Sequence, residues 1–195
     1  MFKSIVMKFV TFAITLMLAI SINGFSQEGS LLKVGDKAPM FKASTDKGSV
    51  WFLKEYIGKK NIIVYFYPAA MTGGCTKQAR AYSSFQSELE SANAIVVGIS
   101  GDNPEGLKIF KKANDINFTL LADPTGKIAK KYGVETRDGG KVTVDVDGKS
   151  FDLERGITDN RTTFIIDKNG KIIYANDQVD PHYDVKNVLE FLRKN

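Results

Sequence analysis

Short unbroken apolar blocks alternate with amphipathic stretches along most of this chain, and that alternation predicts its elements. Ile62–Tyr67 (IIVYFY) and Ala94–Ser100 (AIVVGIS) have strand length and no polar face, so each reads as a strand covered on both sides. Between them, Phe85, Leu89 and Ala92 recur at helical spacing with Ala79, Ala81 and Tyr82, while Ser84, Gln86, Ser87, Glu88 and Glu90 fill the remaining face. This predicts one helix running on from Cys75. A second helix is expected from Pro104 to about Asn114, capped by Asp102 or Asn103, and a third from Asp123-Pro124 to Tyr132. Phe118–Leu121 reads as a short strand. Upstream, Lys42–Trp51 reads as a hairpin turned by Asp46-Lys47-Gly48, and Leu53–Ile57 as one helical turn ended by Gly58. Downstream, Arg161–Ile166 and Ile172–Ala175 form a second hairpin around Asn169-Gly170. Asp184–Arg193 closes the chain as a helix with Val185, Val188, Leu189 and Leu192 inward. Strands and helices in alternation imply an α/β fold, a central mixed β-sheet flanked by helices.

One segment departs from this pattern. Residues 135–156 are polar and glycine-containing, and within them Val142, Val144 and Val146 alternate with Thr143, Asp145 and Asp147. Period two with Asp147-Gly148 as a turn predicts an inserted surface hairpin near 141–151.

The start of the chain is different again. Lys3 and Lys8 give a basic beginning, Phe9–Ile20 carries no charge, and Ser21, Gly24 and Ser26 follow. That order is the one of a secretory signal peptide over 1–26, and the apolar run is shorter than the ~20 residues a spanning helix needs. The expected organisation is therefore a signal peptide (1–26), a flexible lead (27–33) and one domain (34–195), exported to the periplasm or the outside of the cell. No stable membrane insertion is expected after cleavage.

Charge narrows the function. The chain is formally +5, but its leader holds two lysines and no acid, which leaves 25 basic against 22 acidic side chains. The lysine doublets at 59–60, 111–112 and 130–131 are scattered, so no nucleic-acid face is indicated. One histidine, His182, and one cysteine cannot build a zinc site, and His182 in Asp-Pro-His reads as a capping or surface residue.

The single cysteine carries the chemistry. A buried strand runs through a loop broken at Pro68 into a helix, and Cys75 lies at the first turn of that helix. Unpaired N–H groups and the positive end of the helix dipole favour the nucleophilic thiolate there. Thr72 stands three residues earlier, close enough for its hydroxyl to face the sulfur, and Gly73 and Gly74 leave room for whatever approaches. A free cysteine packed as a small apolar residue is the plain alternative. The neighbours here are Gly, Thr and Lys, which favours a reactive thiol.

Pro68, Thr72 and Cys75 reproduce the Pro-x-x-x-Thr-x-x-Cys signature of the peroxiredoxins, and VYFYPAAMTGGCTKQA resembles the bacterioferritin comigratory protein branch. Val34–Phe41 (VGDKAPMF) is similar to the opening of that family, and Arg161 matches its Arg-x-Thr-Phe-x-Ile-Asp context. The resemblance implies a thioredoxin-like fold. It also implies reduction of hydrogen peroxide or organic hydroperoxides through a sulfenic acid on Cys75, with no metal or organic cofactor. Thr72 and loop N–H groups would orient the peroxide, Arg161 would stabilise the departing oxygen, Pro68 would shield the thiolate, and Gly74 would border the substrate. Many members of the branch carry a second cysteine five residues on; Arg80 stands there. A one-cysteine mechanism follows, with an external thiol reductant (a thioredoxin-like protein or a small thiol) and a monomer or homodimer. The alternative is an exported thioredoxin-fold module that binds a partner or forms a mixed disulfide without peroxidase activity.

Overall fold

The structure, a computed structural model, describes residues 29–195; the expected signal peptide and the first two residues of the expected lead lie outside them. Lys42–Thr45 (β1) and Val50–Phe52 (β2) form the expected hairpin, followed by a single 3₁₀ turn at Leu53–Glu55. Asn61–Phe66 (β3) is the buried strand that leads to the cysteine, and Ala94–Ser100 (β4) runs parallel to it. Thr119–Ala122 (β5), Thr162–Ile166 (β8) and Ile172–Asn176 (β9) complete a seven-stranded mixed sheet ordered β2-β1-β5-β4-β3-β8-β9. Thr136–Val146 (β6) and Lys149–Asp159 (β7) form a separate two-stranded ribbon.

The apolar run of β3 is explained by what lies on each side. Ile63, Tyr65 and Tyr67 enter one core cluster, while Ile62, Val64 and Phe66 enter the other. The first cluster packs beneath Gly73–Ser84 (α1), Gln86–Ser91 (α2), Pro104–Ala113 (α3) and Asp184–Lys194 (α5). The second lies against the N-terminal hairpin and Lys127–Tyr132 (α4). A strand with two covered faces has no position at which a polar side chain meets water. Leu32, in the stretch expected to be a flexible lead, is buried in the second cluster, and its N–H donates to the Tyr132 carbonyl at 3.2 Å.

Three elements differ from their expected form. The single helix after Cys75 is two: it breaks at Phe85 (φ −106°, ψ 20°). Ser84 Oγ donates to the Arg80 carbonyl and Gln86 Nε2 to the Tyr82 carbonyl, and side chains that occupy helix carbonyls in this way bend the helix. The helix expected from Asp123-Pro124 starts only at Lys127, because Gly126 is left-handed (φ 65°) and cannot continue a right-handed turn. Asp123 instead reaches forward to accept the N–H groups of Lys127, Ile128 and Ala129. The inserted hairpin is longer than 141–151, since Gly139 and Gly140 belong to its strand. A Cβ on Gly139 would lie 2.0 Å from the Arg155 carbonyl oxygen, so glycine is what permits the ribbon to close there.

Candidate active site

Helix α1 begins with Thr72 at its N-cap, and Gly73, Gly74 and Cys75 are its first three residues. The first intrahelical bond runs from the Thr76 N–H to the Thr72 carbonyl at 2.8 Å. Helix geometry leaves the N–H groups of Gly73, Gly74 and Cys75 without acceptors in the helix, and no side chain caps them. Thr72 Oγ1 donates to the Ala69 carbonyl at 2.9 Å, so its proton turns away from the sulfur and its lone pairs remain. Thr72 and Gly73 are exposed, Gly74 and Pro68 half-buried, and Cys75 is 2% exposed. The sulfur is thus a member of the apolar core, with Gly73 and Gly74 just before it in the helix.

Among the buried residues of its cluster, Cys75 is the one that Arg161 contacts. Its Nη2 donates to Cys75 Sγ at 3.3 Å, across the start of β8. Its Nη1 donates to Gln78 Oε1 in a short contact. Gln78 is three residues after Cys75, which puts both on the buried stripe of α1 with Ala79 and Tyr82. Gln78 Nε2 in turn donates to Asp184 Oδ2 at 2.7 Å. The same oxygen accepts Tyr82 OH at 2.8 Å and Thr163 Oγ1 at 2.9 Å. A chain of hydrogen bonds therefore runs from the first residue of α5 through the middle of α1 to the guanidinium and the sulfur. Burial pushes the Asp184 carboxyl up, and the bonds from Tyr82, Gln78 and Thr163, with the charge of Arg161, pull it back. Burial beside that carboxylate also raises Tyr82 well above its ordinary value.

The loop has a second anchor. Asp102 Oδ2 accepts the Ala70 N–H at 2.8 Å and the Ser100 hydroxyl at 2.8 Å. Asn103 is the cap of α3, accepting the Gly106 N–H at 2.8 Å, which leaves Asp102 free for the loop. The loop needs such restraint, since Met71 holds a positive φ of 63°, uncommon for a non-glycine residue. Gly74 fits between two neighbours: a Cβ there would meet Arg161 Nη2 at 3.4 Å and Pro181 Cγ at 3.7 Å.

Cys75, Thr72, Gly74 and Arg161, expected from sequence, thus meet around one turn of helix, with Pro68 at the end of the strand that feeds it. Gln78, Asp184 and Asp102 did not stand out. The helical spacing of Gln78 from Cys75 was a usable signal; the separation of 106 positions between Gln78 and Asp184 offered none. Arg80, at the position of the absent second cysteine, is exposed and lines a surface depression with Ser83 and Asn117. His182 is exposed, and its N–H donates to Asp180.

The model of the AhpC/TSA family matches residues 34–175. Peroxiredoxin Bcp of Escherichia coli K12 is 39% identical over 165 residues, which cover 84% of this chain and 97% of that one. The crystal structure of peroxidoxin BcpB from Mycobacterium tuberculosis superposes with a TM-score of 0.69 at 28% identity, over 84% of this chain and 97% of the other. PrxQ of Xylella fastidiosa gives 0.71 at 22% identity over 85% and 98%, a likeness of fold.

Proposed function

The chain belongs to the AhpC/TSA family and is a thiol-dependent peroxidase of the peroxiredoxin kind, and from that premise we propose how its own residues carry the reaction. Cys75 thiolate attacks the hydroxyl oxygen of H–O–O–R. The new S–O bond forms as the O–O bond breaks, leaving Cys75 as a sulfenic acid and an alkoxide or hydroxide that takes a proton from water. Thr72, whose own proton is held by Ala69, accepts the O–H of the incoming peroxide. The first-turn N–H groups and the Arg161 guanidinium face the charge that moves from sulfur to the departing oxygen. Gly74 keeps the space between Arg161 and Pro181 open for substrate, and Pro68 shapes the mouth.

With a single cysteine in the chain, the sulfenic acid is resolved by a thiol from another molecule. That thiol, a small one or that of a thioredoxin-like protein, forms a mixed disulfide with release of water, and a second thiol frees Cys75. The basic start and apolar 9–20 run support export, to the periplasm or beyond the cell. Among the described residues no helix is long and apolar enough to cross a membrane.

The contact between Arg161 Nη2 and Cys75 Sγ carries this reading, because a structural cysteine has no use for a guanidinium. Stopped-flow mixing of the reduced protein with hydrogen peroxide, followed by intact-mass analysis, tests it. Fast stoichiometric consumption with one added oxygen on Cys75, absent in Cys75→Ser, is the expected result. A reaction no faster than that of an ordinary free thiol would overturn it.

A further inference from the structure

Among the described residues, the backbone hydrogen bonds that dock the β6–β7 ribbon to the body all come from β7. The Asn103 N–H donates to the Glu154 carbonyl at 3.1 Å and the Gly156 N–H to the Gly101 carbonyl at 3.0 Å, so the outer edge of β7 is paired at its base. Leu153 is buried there beside Gly106 of α3. These bonds also fix which residues face outward. Glu154 and Gly156 point away from β6, so their partners in the alternation, Lys141 and its neighbours Thr143 and Asp145, point away from β7. The tight two-residue turn at Asp147 (φ 53°) and Gly148 (φ 74°) demands the same arrangement, with Val146 and Lys149 bonded to each other. Among the described residues, no backbone bond outside the ribbon takes the N–H or C=O of Lys141, Thr143 or Asp145. Among the described residues this edge has neither proline nor bulge, and its charged side chains, Lys141 and Asp145, are of opposite sign.

The ribbon is also two-faced. Lys141, Thr143, Asp145, Ser150, Asp152 and Glu154 share the polar face, where Thr143 Oγ1 donates to Asp152 at 2.7 Å and Lys141 pairs with Asp152 at 2.9 Å. Val142, Val144, Val146 and Phe151 share the other, and Val142 is 39% exposed. A strand laid antiparallel against the β6 edge must match both faces.

We propose that this occupant is the β6 edge of a second copy of the chain, paired about a twofold axis at Thr143. In that register the two Thr143 residues exchange backbone bonds, and each Lys141 lies opposite Asp145 of the other copy. On the apolar face Val142 meets Val144, giving a cross-strand row of Phe151, Val144, Val142 and Leu153 over two copies. Twofold registers centred on Lys141 or on Asp145 would set like charges face to face, and those centred on Val142 or Val144 would set Asp145 opposite Gly139 or Thr143, with no charge to meet it, so the charge pattern selects the one on Thr143. The product is a four-stranded sheet, isologous, with both β6 edges removed from solvent. It leaves the cysteine of each copy untouched.

The test is sedimentation equilibrium of the purified protein and four variants. Thr143→Pro removes a donor that the ribbon itself does not use, and Lys141→Asp and Asp145→Lys each put like charges opposite one another in a homodimer. Each of the three is expected to raise the dimer dissociation constant about tenfold or more. The double variant K141D/D145K restores opposite charges and is expected to dimerise like the parent. An equimolar mixture of the two single charge variants is expected to form a heterodimer that neither forms with itself. Unchanged peroxide reduction and far-UV dichroism show that the variants are folded. A parent that stays monomeric, or a dimer indifferent to Thr143→Pro and to the charge exchange, overturns the proposal.

Discussion

Arg161 Nη2 lies 3.3 Å from Cys75 Sγ although 86 residues separate the two in the chain. In the proposed reaction the guanidinium supplies a fixed positive charge beside a sulfur that otherwise belongs to the apolar core. Arg161→Ala should slow sulfenic acid formation by about 100- to 1,000-fold, the range seen when one preorganised donor is removed from a developing anion. Arg161→Lys keeps the charge but loses the fork that holds sulfur and Gln78 together, so it should fall between the two. Single-turnover peroxide consumption measures both.

Gln78 is the hinge between that guanidinium and the buried Asp184 carboxylate. Gln78→Leu fills similar volume, frees Arg161 to swing and leaves Asp184 with one donor fewer. A loss of about tenfold in the oxidation rate is expected, together with about 1–3 kcal/mol of stability for the unpaired buried group. Stopped-flow kinetics and chemical denaturation, run on the same variant, separate the two effects.

Asp102 restrains the catalytic loop from β4 through the Ala70 N–H. Asp102→Ala should leave that N–H buried without a partner and slow peroxide reduction. Asp102→Asn, which keeps an acceptor oxygen, should recover most of the lost rate. Equal damage by both substitutions would show that the carboxylate charge, not the hydrogen bond, matters at this position.

Asp159, at the last residue of β7, is fully buried, and among the described residues neither of its carboxyl oxygens has a partner. Burial, with the nearby Asp123 and Asp102, pushes its carboxyl from 3.8 up to about 8. The folded protein therefore holds a proton there that the unfolded chain has already released above about pH 4. Its contribution to stability consequently falls as pH rises from about 4 to about 8. Asp159→Asn should remove this slope, so the variant gains on the parent as pH climbs through that window. Urea midpoints taken at pH 5 and pH 8 test it: a difference between parent and variant that does not grow with pH would refute the assignment.

How much of this was written in the sequence differs from element to element. Asn61–Phe66 and Ala94–Ser100 were legible because strands covered on both faces leave uninterrupted apolar runs. Cys75 and Thr72 were legible because strand, proline, loop and helix follow one another locally. The break at Phe85 was not, since it depends on which carbonyls Ser84 and Gln86 happen to occupy. Gly139 lies outside the expected 141–151 hairpin and yet stands in its strand, because its value lies in how closely the Arg155 carbonyl approaches from the other side. Asp184 looked like an ordinary first residue of a helix. Its role depends on Gln78, Tyr82 and Thr163, which only the folded chain brings to one oxygen.

The 2% exposure of Cys75 divides the catalytic cycle into two halves with different demands. A hydroperoxide presents one small oxygen and can reach the sulfur with α1 intact. A reducing thiol must bring a second sulfur to about 2.05 Å with its own carbon behind it, a larger demand on a sulfur that is 2% exposed. We expect re-reduction to require the first turn of α1 to unwind. Gly73 and Gly74 make that opening cheap, because glycine gives a helix little and recovers much backbone freedom on leaving it. Oxidation then runs at a chemical rate and recycling at a conformational one. A substitution that stiffens this turn should protect the oxidised enzyme from its reductant while leaving its encounter with peroxide unchanged.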